Sequence, residues 1–272
     1  MDGGVTETQD YADGKLHLTR TGGVAAITFD NPGKLNAMSL AMWQALGDVC
    51  TALAADDSLR VLTLEGAGDK AFVVGADISE FGEKRSNAQA AAAYNATVAR
   101  AERAVEAMPV PTLALLRGYC IGGGLGIAMR CDLRLAREDA VFAVTPARLG
   151  LGYGFDAVAA LQRRLGHATT SDLLFSARKI AARDALAKGV CDFIYPADRF
   201  EAECAAYVAG IAQNAPLTIR AIKATLRELA RPEAERDRSK VDALVKACFD
   251  SADYQEGQRA FAEKRPPVFK GV

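Results

Sequence analysis

Histidine is almost absent from this chain: His17 and His167 are the only two in 272 residues. No serine sits in a G-x-S-x-G turn, so a Ser-His-Asp or Cys-His hydrolase lacks its base and its nucleophile elbow. The sequence also lacks G-x-x-x-x-G-K-S/T, G-x-G-x-x-G and H-E-x-x-H, which removes the usual nucleotide-phosphate cradles and the commonest zinc site. Its six cysteines (Cys50, Cys120, Cys131, Cys191, Cys204 and Cys248) contain no C-x-x-C pair. They read as reduced thiols in a core, not as a disulfide framework or a metal centre. An excess of one charge is missing too: 33 basic and 34 acidic residues leave a net charge of −1. That total offers no general basic face for a nucleic-acid backbone. No apolar run approaches the ~20 residues that cross a bilayer. Met1–Gly14 is acidic and polar, without the basic and apolar regions of a secretory signal. The expectation is a soluble, cytoplasmic protein that works without metal, cofactor, nucleic acid or membrane.

What is present is an ordinary globular balance, with 50% hydrophobic and 25% charged residues. Short β-branched or apolar segments alternate with amphipathic ones through the first two thirds. Val24–Phe29, Val61–Leu64 and Thr112–Leu116 predict strands, and their lack of polar alternation suits an α/β protein covered on both faces. Leu40–Ala55, with Ser39 as its N-cap, and Asn87–Met108 predict helices. From Arg199 onward only helical periodicity remains, over Phe200–Asn214, Leu217–Ala230, Lys240–Phe249 and Ala252–Lys264, punctuated by Pro216 and Pro232. The division expected is an α/β core over 1–196 and a helical region over 197–272, with no linker between them.

Two glycine-bearing loops carry the chemical signal. Phe72-Val73-Val74-Gly75-Ala76-Asp77-Ile78 is the first, and Gly122-Gly123-Gly124 opening a helix over Leu125–Arg130 is the second. Glycines at a helix start leave backbone N–H groups uncovered where an anion can sit. Two such loops meeting would offer two donors to one developing oxyanion. Close packing of a helix on a sheet explains a glycine triplet nearly as well.

The combination is more specific. Asn31-Pro32-Gly33-Lys34-Leu35-Asn36-Ala37, then Gly75-Ala76-Asp77-Ile78, then Gly118-Tyr119 with Gly122-Gly123-Gly124, resembles the crotonase (enoyl-CoA hydratase/isomerase) superfamily. Cys131-Asp132 and the ending Tyr254-Gln255-Glu256-Gly257…Phe261…Glu263-Lys264-Arg265 extend the resemblance over nearly the whole chain. It implies a spiral of ββα units, a helical C-terminal region that makes a homotrimer or a dimer of trimers, and an acyl-CoA substrate. Coenzyme A enters as part of that substrate. It also implies that the N–H groups of Ala76 and Gly123 hold the thioester oxygen. Lys34, Leu35, Ala37, Gly75, Asp77, Ile78, Tyr119, Ile121, Gly122, Pro146 and Leu149 would line the substrate, with Phe261 and Lys264 near the CoA phosphates.

The departures from the hydratases are as informative as the matches. Hydratases of this family use two glutamates, at the places held here by Gly126 and Pro146, and neither residue can move a proton. Phe142-Ala143-Val144-Thr145-Pro146-Ala147-Arg148-Leu149-Gly150-Leu151-Gly152-Tyr153 is similar to a decarboxylating branch, methylmalonyl-CoA decarboxylase, in which a tyrosine at the place of Tyr153 faces the substrate. That branch has a histidine where this chain has Ala76; a backbone donor survives the change. Decarboxylating a malonyl-type thioester needs no base, because the departing CO2 leaves its electron pair on an enolate that two N–H groups stabilise. Tyr153, with Thr145 beside it, is expected to orient the carboxylate. Two alternatives remain. One is an isomerase, hydrolase or atypical hydratase using Asp156 or Tyr153 for proton transfer, although Asp156 also suits a cap on the helix Ala157–Leu165. The other is an acyl-CoA-binding protein without activity. The segment Gly82–Tyr94 is expected to set the depth of the acyl pocket.

Overall fold

The computed structural model describes residues 5–80, 82 and 86–272. Thr6–Tyr11 (β1), Leu16–Thr21 (β2) and Val24–Phe29 (β3) form an antiparallel meander. Leu16 and Leu18 on β2 and Ala25, Ile27 and Phe29 on β3 point inward, alternating with more exposed neighbours. A sheet with one buried face imposes this period of two.

From β3 onward the chain repeats one manoeuvre: a strand in a large sheet, a short segment in a small sheet, then a helix. The first turn runs from β3 through residues 31–38 to Leu40–Ala54 (α1), which Ser39 caps by accepting from the Met42 N–H at 3.2 Å. Val61–Gly66 (β4), Ala71–Val73 (β5) and Ala88–Glu106 (α2) make the second turn. Thr112–Leu116 (β6), Tyr119–Ile121 (β7) and Gly123–Arg130 (α3) make the third, and Leu133–Arg137 (β8), Val141–Ala143 (β9) and Phe155–Ser176 (α4) the fourth. In the first turn the small-sheet segment is reduced to one bridge, Met38 to Ala76. Ile180–Ala181 (β10), Ala182–Ala187 (α5) and Phe193–Tyr195 (β11) follow. The large sheet has the order β1-β2-β3-β4-β6-β8-β11 and the small one β10-β9-β7-β5. This is the expected spiral of ββα units.

The two sheets enclose the main core, and the T-shaped Phe29–Phe72 pair, with centroids 5.6 Å apart, joins them. β6 is buried along its whole length because its other face is covered too. The cover is Phe200–Ala212 (α6), whose Phe200, Cys204 and Val208 pack on Val61, Leu113, Leu115 and Leu135. Pro216–Leu229 (α7), Arg238–Phe249 (α8) and Ala252–Glu263 (α9) complete the chain. Buried Lys223 on α7 donates to Asp132 at 2.7 Å, and that carboxylate also accepts from the Thr112 N–H at 2.8 Å. Arg227 on α7 reaches the carbonyls of Glu106 and Met108. The helical region is thus anchored on the α/β layers by cations that leave its helices. Five of the six cysteines are buried, and burial pushes the Cys50 thiol up to about 12, which keeps it protonated and inert.

Candidate active site

Two left-handed glycines bring two backbone donors together. Gly75 (φ +96°) follows β5 and Gly122 (φ +57°) precedes α3, in a region that side chains with a Cβ rarely adopt. The loops touch: a Cβ on Gly75 would lie 3.4 Å from the Gly123 nitrogen. The three glycines of the triplet divide the work. Gly122 supplies the conformation and Gly123 the donor, while Gly124 allows α3 onto β5, since a Cβ there would lie 2.1 Å from the Val73 carbonyl oxygen. Among the described residues neither the Ala76 nor the Gly123 N–H has an acceptor. Gly123 opens a helix, and beside Ala76 the bonds to Met38 are taken by the Gly75 carbonyl and the Asp77 N–H. Ala76 and Gly123 line one cavity of about 580 Å³.

The first loop is held rigidly against the start of α1. Met38 N–H donates to the Gly75 carbonyl at 2.8 Å, Asp77 N–H donates to the Met38 carbonyl at 2.9 Å, and Leu40 N–H donates to Glu80 Oε2 at 2.8 Å. Lys34 Nζ reaches Asp77 Oδ2 at 2.6 Å and Ser79 Oγ at 2.8 Å. Burial alone would raise the Asp77 carboxyl, but the bonds from Lys34 and Ser79 overturn this and hold it below its ordinary value. Lys34 and Asp77, both expected to line the substrate, therefore bind each other.

Of the other expected residues, Gly75, Ile78, Gly122, Thr145, Pro146, Leu149 and Tyr153 line the cavity. Thr145 to Leu149 come from the 3-10 turn after β9, and Tyr153 from the loop before α4. Burial raises the Tyr153 phenol, and the negative charge of Glu102 adds to the effect. Its hydroxyl has no hydrogen-bond partner among the described residues. Leu35, Ala37, Tyr119 and Ile121 do not line the cavity. Leu35 ends the 32–34 turn in a left-handed conformation, Ala37 is buried, the Tyr119 ring carries Lys179 Nζ 4.8 Å from its centroid, and Ile121 pairs with Ala143. Phe261 and Lys264 lie at the end of α9, where Phe261 lines a second, apolar cavity among the C-terminal helices. Within the segment expected to set pocket depth, residues 83–85 lie outside the described residues. From Ala88 it is α2, whose Ala92, Ala96 and Ala99 form one cavity wall.

Two findings differ from expectation. Asp156 does not cap its helix: α4 starts at Phe155 with Gly154 as N-cap, and the exposed Asp156 carboxylate faces Arg103 at 3.5 Å. And although positions 126 and 146 carry no acid, the cavity does hold a buried carboxylate. Glu102, on α2, lines it and is only 6% exposed. Glu102 Oε2 accepts from Arg130 Nη2 at 3.1 Å and Nε at 3.3 Å. A Cβ on Gly126 would lie 2.6 Å from Glu102 Oε1, so the missing side chain at 126 is what makes room for this one. Burial raises the Glu102 carboxyl above its ordinary value, with Arg130 opposing.

Comparison with known proteins agrees with this geometry. A profile of the enoyl-CoA hydratase/isomerase family matches residues 19–272. The crotonyl-CoA hydratase of Syntrophomonas wolfei is 30% identical over 90% of this chain and 94% of its own. The methylmalonyl-CoA decarboxylase of Escherichia coli is 30% identical over 91% of this chain and 95% of its own. A crystal structure of an enoyl-CoA hydratase/carnithine racemase from Magnetospirillum magneticum superposes with a TM-score of 0.89 at 35% identity, covering 96% of this chain and 97% of that one. With the ββα spiral and the paired glycine loops, these likenesses place the chain in the enoyl-CoA hydratase/isomerase family, the crotonase superfamily.

Proposed function

We propose that the protein binds an acyl-CoA thioester with its carbonyl oxygen between the Ala76 and Gly123 N–H groups, and that it decarboxylates a malonyl-type thioester such as methylmalonyl-CoA. The observation that carries this is the pair of unengaged backbone donors at one cavity, with Tyr153 and Thr145 lining it and no acid at 126 or 146. As the Cα–carboxylate bond breaks, its electron pair moves into the enolate, whose oxygen takes both N–H bonds. A donor of this kind contributes about 3 kcal/mol to the transition state. Tyr153, protonated throughout the physiological range, donates to the carboxylate and holds the breaking bond out of the thioester plane, where overlap with the carbonyl is best. The likeness to the Escherichia coli decarboxylase supports this reading; the equal likeness to a crotonyl-CoA hydratase does not separate the two.

Glu102 favours a second reading, in which the site moves a proton to or from the acyl carbon without losing CO2. Incubation with malonyl-, methylmalonyl-, ethylmalonyl- and crotonyl-CoA, with products identified by mass, tests both. The expected result is loss of CO2 from one malonyl-type thioester and negligible 3-hydroxybutyryl-CoA from crotonyl-CoA. Robust hydration, abolished by a substitution in either glycine loop, would overturn the decarboxylase reading.

A further inference from the structure

Glu102 belongs to none of the motifs that mark the site, yet three features fit it for chemistry there. It is buried at the wall of the cavity that Gly123 and Tyr153 also line, beside the helix that starts with the Gly123 donor. Its two oxygens are differently engaged: Oε2 takes both bonds from Arg130, whereas Oε1 has no hydrogen-bond partner among the described residues. And Oε1 occupies the space beside Gly126, three residues along α3 from Gly123 and so on the same helical face. Pairing with Arg130 engages only Oε2, so it does not account for the open space kept beside Oε1 at position 126.

We infer that Glu102 is the proton-transfer residue of this site, exchanging a proton through Oε1 with the carbon next to the thioester carbonyl. The inference rests on the acyl-CoA reading but not on decarboxylation. After CO2 leaves, the Oε1–H proton goes to Cα, the enolate electron pair forms the new C–H bond, and the carbonyl is restored. Glu102 is left as a carboxylate beside Arg130 and regains a proton from water in the cavity. Run on a saturated acyl-CoA, the same steps exchange Cα protons with solvent: Oε1 takes one, the enolate oxygen rests on Ala76 and Gly123 N–H, and a solvent-derived proton returns. The charged or titratable groups facing Glu102 are Arg130 on α3, Glu106 on its own helix, Asp156 on α4 and Tyr153. Burial is the largest influence on it and favours the protonated donor.

The test is deuterium uptake at Cα of propionyl-CoA and butyryl-CoA in D2O, read by mass, alongside decarboxylation of the malonyl-type thioesters, for the whole protein and for E102Q. Glutamine keeps the shape and can still face Arg130, but carries no transferable proton. Wild-type exchange, lowered about 100-fold per folded molecule in E102Q with unchanged Kd for propionyl-CoA, is the expected result. A purely structural Glu102 would move Tm and leave the exchange rate per folded molecule intact. As a second variant, E102A/G126E brings a carboxylate to the same space from α3, and should recover at least tenfold over E102A. Exchange in the wild type that E102Q loses, without any decarboxylation, would uphold Glu102 and refute the decarboxylase reading. E102Q matching the wild type in both reactions, or a wild type that performs neither, overturns the inference.

Discussion

Tyr153 and Asp156 stand three residues apart, and their surroundings give them opposite roles. Tyr153 lines the cavity with a hydroxyl that no described group occupies, while Asp156 faces outward to Arg103. Losing one hydrogen bond to a charged group costs about 1.5–3 kcal/mol, so Tyr153→Phe should lower kcat by roughly 10- to 150-fold with KM little changed. Asp156→Asn should leave kcat nearly unaltered. It removes an exposed ion pair and no cap, so melting should shift by no more than a few tenths of a kcal/mol. Steady-state kinetics and calorimetry on the two variants check both statements, and an inactive Asn variant with a tolerated Phe would move the chemistry to Asp156. Ala76 and Gly123 were legible through the family resemblance; the glycines that flank them are explained nearly as well by close packing and did not specify the donors. Glu102 was not, since the residue that makes room for it lies on another helix. A signal did exist: Arg130 closes the wholly apolar run Leu125-Gly126-Ile127-Ala128-Met129. A buried guanidinium requires a carboxylate close by.

At the scale of elements, the loop from Gly75 to Glu80 works because another segment holds it. Lys34, at the end of the 32–34 turn, reaches Asp77 and Ser79, so the first ββα turn positions the donor carried by the second. Asp77→Asn should destabilise the protein by about 1 kcal/mol at pH 7, at the low end for charged hydrogen bonds because Lys34 is half in water. The sign with pH is fixed. The folded Asp77 carboxyl lies below its unfolded value near 4, so its stabilisation is complete above that pH and fades as pH falls through the folded value. Urea midpoints for the two proteins should therefore differ at pH 7 and converge toward pH 3; a gap that widens at low pH would refute the assignment. Most long helices were readable from periodicity, with α1, α2 and all four C-terminal helices expected within a few residues. The longest, α4, was expected only over Ala157–Leu165, and the strands β1 and β2 were not expected. Nor was the small sheet. Its strands have two or three residues, too few for a period of two to register.

Across the whole molecule, the apolar surface is uneven. Ile222, Leu226 and Leu229 on α7 and Phe249 on α8 are more than half exposed, and Phe261 on α9 is 87% exposed. We propose that this side of the helical region is the assembly face expected from the family resemblance. Light scattering at micromolar concentration should then give a trimer or a hexamer, and Leu226→Asp should shift it toward monomer; a stable wild-type monomer would refute the proposal. No described helix is long and apolar enough to cross a membrane. The helical region itself was visible in the sequence, but its attachment through Lys223 and Arg227 was not, because each joins residues far apart in the chain.

The close approach of Gly126 to Glu102 also constrains how this sequence can change. A methyl group at 126 would meet Glu102 Oε1 at 2.6 Å, and Arg130 holds that carboxylate in place. A glutamate gained at 126 while Glu102 remains would crowd two acids into one space, and Glu102 lost first would leave Arg130 with Glu106 alone. Either single step should be harmful while the two together restore one acid, so the positions should show sign epistasis. A lineage carrying its acid on α2 would then be separated by a fitness valley from one carrying it on α3.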